Sequence, residues 1–120
     1  MLKVLMVDDD PCQLRIREII LRGAGVAAIL ATDADSALAS LRSRGGEVGV
    51  VVTDHNLPGR SGAALVRELR LTEPFLPVIV LSGMPGIEPE YDGLDVTFCY
   101  KPLPPDEFVR SIQQLLSRAA

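Results

Sequence analysis

The strongest constraint on this chain is a recurrence of short, nearly unbroken apolar runs, at residues 2–7, 26–31, 48–53, 77–81 and 96–100. Runs of this length, without alternation, read as strands buried on both faces rather than on one. The stretches between most of them carry helical spacing instead. Strands that alternate with helices specify a parallel sheet covered by helices on both sides.

The helix signals are local and can be named. Asp10 is placed to cap the first helix, Pro11 suits its first position, and Gln13 falls where a capping box takes Glu or Gln. Cys12, Ile16, Ile19, Ile20 and Gly23 follow helical spacing and are expected along the inner face, with Gly23-Ala24-Gly25 as the stop. Asp33 or Asp35 caps a second helix carrying Ala37, Leu38 and Leu41, which ends near Gly45-Gly46. A third spans about 61–71, with Leu65, Val66 and Leu69 inward, and a last one about 106–117, with Phe108, Val109, Ile112, Leu115 and Leu116 inward. The expected fold is α/β, with five parallel strands, doubly wound in the flavodoxin-like order 2-1-3-4-5.

One interval breaks the rhythm. In residues 82–93, five of twelve positions are Gly or Pro, which disfavour helix interiors by about 1 and 3 kcal/mol. Ile87, Tyr91 and Leu94 keep helical spacing, so this interval is expected to be a loop or a one-turn helix. The fourth helix of a regular alternation is therefore short or irregular.

Composition narrows the function classes. A chain of 120 residues that is 48% apolar is long enough for one domain with a sizeable core, and 23% charge argues against disorder. No apolar run approaches the roughly 20 residues of a membrane span. Cys12 and Cys99 match no metal or redox spacing and are expected to be inert thiols in a reduced, cytoplasmic protein. A net charge of −4 argues against direct nucleic-acid binding.

Ligands of open α/β sheets bind beyond the carboxyl ends of the strands. The residues at those ends are Asp8, Asp9 and Asp10 after the first run, Asp54 after the third, Ser82 after the fourth and Lys101 after the fifth. Two carboxylates about 5 Å apart repel by roughly 3 kcal/mol at an effective dielectric of 20, so such a cluster calls for a cation. Mg²⁺ takes oxygen ligands of this kind and leaves room for phosphate oxygens. Lys101, one of only two lysines, adds a point charge for those oxygens. Phosphoryl transfer needs mainly positioning and charge neutralisation, which this set supplies.

Four motifs give the chain a specific resemblance: Val7-Asp8-Asp9-Asp10, Val52-Thr53-Asp54-His55-Asn56-Leu57-Pro58-Gly59, Val80-Leu81-Ser82-Gly83 and Tyr100-Lys101-Pro102. In that order, over essentially the whole chain, they resemble the receiver domain of a bacterial two-component response regulator. The resemblance implies one domain over 1–120. It also implies Asp54 as phosphoacceptor, with Ser82 and Lys101 contacting the phosphoryl group. Asp9 would ligate Mg²⁺ directly, Asp8 largely through water, Asp54 through its carboxylate and Asn56 through its backbone carbonyl. Phe98 would be the aromatic switch residue, and the peptide Lys101-Pro102 would be cis. The implied partners are a sensor histidine kinase or histidine phosphotransfer protein, and a downstream protein effector. The domain would be a monomer or weak dimer that catalyses only its own phosphorylation and dephosphorylation. The end at Ser117-Arg118-Ala119-Ala120 fits either a stand-alone receiver or a piece of a larger regulator or hybrid kinase.

Blander readings stand beside these. Asp10 is a helix cap before it is a ligand, Ser82 could simply start a turn, and Phe98 could be core packing. His55 is expected to face solvent, as a tuning residue at most. Two other functions remain open at this point. One is a small haloacid-dehalogenase-like phosphatase with Asp8 as nucleophile, and the other is a receiver-like interaction module that no longer reacts.

Overall fold

The computed structural model describes residues 1–119. Its elements are β1 (Lys3–Val7), α1 (Pro11–Gly23), β2 (Ala28–Ala31), α2 (Ala34–Arg44), β3 (Val48–Asp54), α3 (Gly62–Arg70), β4 (Val78–Ser82), β5 (Thr97–Tyr100) and α4 (Pro105–Ala119). A 3₁₀ turn, Gly45–Glu47, precedes β3, and another, Glu88–Tyr91, is the only helical turn between β4 and β5. All strand pairs are parallel, and the sheet order is β2-β1-β3-β4-β5. The expected architecture is the observed one, including the missing regular helix before β5.

Side-chain parity along the strands divides the core in two. Val4 and Met6 of β1, Val50 and Val52 of β3, and Ile79 and Leu81 of β4 face α1 and α4. Leu5, Val7, Val51, Val78 and Val80 face α2 and α3. β3 and β4 are buried at every position, which is why they read as unbroken apolar runs. On α4, Phe108, Ile112 and Leu115 close the first layer, each burial contributing about 1.5–3 kcal/mol before entropy is counted.

The capping residues are those expected, except that the Asp10 N–H donates to Asp8 Oδ1 at 2.9 Å and not to a capping-box Gln13 side chain. The Asp10 carboxylate accepts from the backbone N–H of Cys12 at 2.9 Å and of Gln13 at 3.4 Å. Asp33, not Asp35, caps α2, accepting from the Ser36 N–H at 2.7 Å. Ser61 caps α3 through the Ala64 N–H at 3.1 Å.

The inner face of α1 corrects the sequence reading. Leu14 and Leu21 are buried at 2% and 0% exposure, whereas Ile16 and Ile19 are 51% and 52% exposed and Cys12 and Gly23 lie outside. Ile20 alone of the expected set packs against the core, and only partly. The helix has more apolar residues than one face can hold, so two neighbouring stripes both satisfy the spacing. The stripe that meets the sheet runs Leu14, Arg17, Leu21, and the basic residue within it disguised the pattern.

Without a regular helix before β5, residues 83–96 are held by individual contacts. Ile87 and Tyr91 are buried against the α2–α3 core layer. Arg70, at the end of α3, donates to the carbonyls of Glu73, Leu76, Leu94 and Asp95 at 2.7–2.9 Å. A single guanidinium thus ties the approach to β4 and the approach to β5 together, which its planar fork of donors makes geometrically feasible.

Candidate functional site

The carboxyl edge of the sheet brings the expected residues together. β1 ends at Val7 and β3 at Asp54, on neighbouring strands, so Asp8, Asp9 and Asp54 converge. One carboxylate oxygen from each lies within 4.8 Å of the others. Asp8 and Asp54 are buried at 2% and 8% exposure, and Asp9 is exposed. Asn56 follows on the β3–α3 loop and lines the same open cleft as Asp9 and Asp54.

Lys101, just past β5, reaches back so that its Nζ lies 2.6 Å from Asp54 Oδ1. The Lys101-Pro102 peptide is cis, as the resemblance implied. Burial pushes the Asp54 carboxyl above its ordinary pKa. The Asp8 charge pushes the same way, while the Lys101 hydrogen bond and the charges of Lys101 and Arg17 oppose it. Desolvation therefore outweighs the ion pair, as expected where carboxylates crowd together.

Ser82, the last residue of β4, is buried at 3% exposure. Its hydroxyl donates to the Met84 carbonyl at 2.7 Å and accepts from the Met84 N–H at 3.1 Å. In this state Ser82 does start a turn, the blander role considered for it. Asp10 is likewise occupied as a cap.

Two residues outside the expected set belong to the neighbourhood. Arg17 donates through Nη1 to Asp8 Oδ2 at 2.7 Å, with both side chains largely buried. The sequence signal was available: Arg17 lies two turns after the Asp10 cap, and helix side chains lean toward the N-terminus. The other is Tyr91, whose hydroxyl lies 2.7 Å from His55 Nδ1. The His55 side chain is only 12% exposed, not solvent-facing as expected, and its Nε2 lies 3.5 Å from Glu90. Tyr91 also meets Phe98 edge-on, with ring centroids 5.4 Å apart. Burial raises the pKa of the Tyr91 hydroxyl, so it stays neutral in this contact.

Gly62 shows how closely these parts fit. A Cβ there would stand 2.5 Å from the Asp54 carbonyl oxygen and 2.8 Å from the Tyr91 hydroxyl. Only glycine lets α3 start this close to the end of β3.

The three clustered carboxylates, with room toward solvent on the Asp9 side, suit a hard divalent cation with oxygen ligands. The ammonium beside Asp54 suits an incoming anion. Together they are chemically suited to moving a phosphoryl group onto a carboxylate.

Comparisons with known proteins identify the family. The family model described as "Response regulator receiver domain" matches residues 4–113. The probable transcriptional regulatory protein TcrX of Mycobacterium tuberculosis is 34% identical, over 96% of this chain and 50% of its own length. The cell cycle response regulator CtrA of Brucella ovis is 29% identical, over 98% of this chain and 51% of its own. The chain thus spans about half the length of these curated relatives. Among solved structures, chemotaxis response regulator CheY4 of Vibrio cholerae superposes with a TM-score of 0.85 at 26% identity, covering 96% of this chain and 98% of that one. Among the described residues, no helix is long and apolar enough to cross a membrane.

Proposed function

The chain belongs to the response regulator receiver domain family, and on that premise we propose that Asp54 is the residue that takes the phosphoryl group. Receiver domains are phospho-accepting switches of two-component signalling. One observation carries the assignment to Asp54. Of the clustered carboxylates, it is the one paired with the Lys101 ammonium, at 2.6 Å.

Lys101 holds Asp54 Oδ1, and Oδ2 is the attacking atom. The Asp54 oxygen forms a bond to phosphorus as the bond from phosphorus to the donor histidine nitrogen breaks, and the imidazole leaves with the electron pair. Asp8, Asp9, Asp54 and the Asn56 carbonyl would hold Mg²⁺, which when bound neutralises charge on the transferring group. Lys101 then pairs with a phosphoryl oxygen. Ser82 exchanges its contact with Met84 for one with the phosphoryl group, drawing residues 83–87 with it. The added charge, about −1.5 to −2 for phosphorylated side chains, drives that exchange. The domain acts on itself and is not a turnover enzyme.

The donor is a histidine kinase or phosphotransfer protein. Beside Lys101 lies a cleft of about 340 Å³ whose lining includes Ile16, Ile20, Leu103 and Pro105, an apolar seat next to the reactive edge. A downstream protein reads the result from the face bearing the irregular segment.

Asp8 as a phosphatase nucleophile finds no such support. Its Oδ1 already accepts from the Asp10 N–H at 2.9 Å and its Oδ2 from Arg17. Incubation with acetyl phosphate and Mg²⁺ separates the readings. Wild type should be labelled and Asp54→Asn should not. Labelling retained in Asp54→Asn would remove Asp54 from the role, and an unlabelled wild type would favour a module that no longer reacts.

A further inference from the structure

Three carboxylates packed within 4.8 Å need positive charge to remain ionised. Lys101 supplies one cation, on Asp54. Arg17 supplies a second, on Asp8, from within the buried stripe of α1 between Leu14 and Leu21. Its Nη1 lies 2.7 Å from Asp8 Oδ2, with 15% of the Arg17 side chain and 3% of the Asp8 side chain exposed. The neighbouring acid on the helix, Glu18, does not compete for Arg17, because it is paired with Arg15 and Arg22. The charge of Arg17 reaches as far as Asp54, where it opposes the effect of burial.

We propose that Arg17 is a built-in counter-cation of the acidic site, which neutralises Asp8 and thereby weakens the site's binding of Mg²⁺. The inference rests on the reading of Asp8, Asp9 and Asp54 as the metal ligands. Arg17 and Lys101 together leave the cluster only one formal negative charge in excess. A divalent cation entering there meets a fixed guanidinium on one ligand and must share Asp8 with it. Arg17 acts through Asp8 and is a positioning and affinity-setting residue, not a catalytic one. It keeps the metal-free domain stable and sets a high metal concentration for occupancy.

An opposite role is physically coherent and gives the test its edge. Partners behind a ligand often orient it, and their removal typically weakens metal binding 10–100-fold. Titration calorimetry of MgCl₂ into the full chain at fixed ionic strength distinguishes the two. Arg17→Gln keeps a donor for Asp8 but removes the charge, and should bind Mg²⁺ about tenfold more tightly than wild type, a change of about 1.4 kcal/mol. Arg17→Lys keeps the charge and should bind close to wild type. In thermal melts, Mg²⁺ should raise the midpoint of Arg17→Gln by more than that of wild type.

Weaker or unchanged binding by Arg17→Gln would overturn the proposal, as would equally tight binding by the Gln and Lys variants. If neither wild type nor any variant binds Mg²⁺, the metal reading itself fails and the counter-cation role goes with it. Binding by wild type with no difference in Arg17→Gln rejects only the role of Arg17.

Discussion

At Asp54, the physics pulls in two directions that can be measured apart. Burial and the Asp8 charge raise its pKa, and Lys101 and Arg17 only partly offset them. A carboxyl whose folded-state pKa is raised makes its ionised form a cost to the fold above that value. The cost is relieved as pH falls through the folded value, and is gone below the unfolded one. In metal-free buffer at pH 7, Asp54→Asn should therefore melt at a higher temperature than wild type, and the gain should vanish well below the ordinary carboxylate range. Melting curves at several pH values check this, and a pH-independent difference would contradict it. Gly62 gives a second prediction at this scale. Gly62→Ala forces a methyl against the Asp54 carbonyl and the Tyr91 hydroxyl, and should cost about 1–3 kcal/mol in denaturant unfolding. The acidic residues, Ser82 and Lys101 were legible because each directly follows an apolar run. Arg17 was signalled only by its place two turns after the Asp10 cap, and Tyr91 not at all, because its contact with His55 exists only once the turns are packed.

The elements divide in the same way between what periodicity specifies and what packing selects. β3 and β4 are buried at every position and announced themselves as apolar runs. α1 did not, since two adjacent stripes compete for the sheet. Leu14→Ala should cost about 2–5 kcal/mol, as buried leucine truncations do. The exposed stripe should behave differently: Ile16→Ala and Ile19→Ala should each cost less than about 1 kcal/mol, in the range of substitutions at half-exposed sites. Chemical denaturation of the three variants decides which stripe faces inward. The interval before β5 was legible as irregular from its Gly and Pro content, but what holds it was not. Arg70 serves four carbonyls there. Lys offers no planar fork, so Arg70→Lys should be destabilising by about 1–3 kcal/mol. It should also speed amide exchange at residues 87–96 more than in β1.

Across the whole molecule, the parallel order β2-β1-β3-β4-β5 places the ends of β1, β3, β4 and β5 at one edge. That topology, more than any single residue, turns scattered Asp, Ser and Lys positions into a site. The order could be anticipated because the alternation of strands and helices leaves few topologies open. The state of the site was harder to anticipate. Here Ser82 is turned to Met84, Lys101 holds Asp54, and Arg17 holds Asp8. In the function proposed above, the first two of these contacts give way to a phosphoryl group. The central claim is that Asp54 receives it. The most direct test treats the chain with acetyl phosphate and Mg²⁺, traps the acyl phosphate by borohydride reduction, and maps the modified residue by peptide mass spectrometry. The account predicts one reduced aspartate, at Asp54. Modification at Asp8 or Asp9, or none in a folded chain with Mg²⁺ bound, would contradict it.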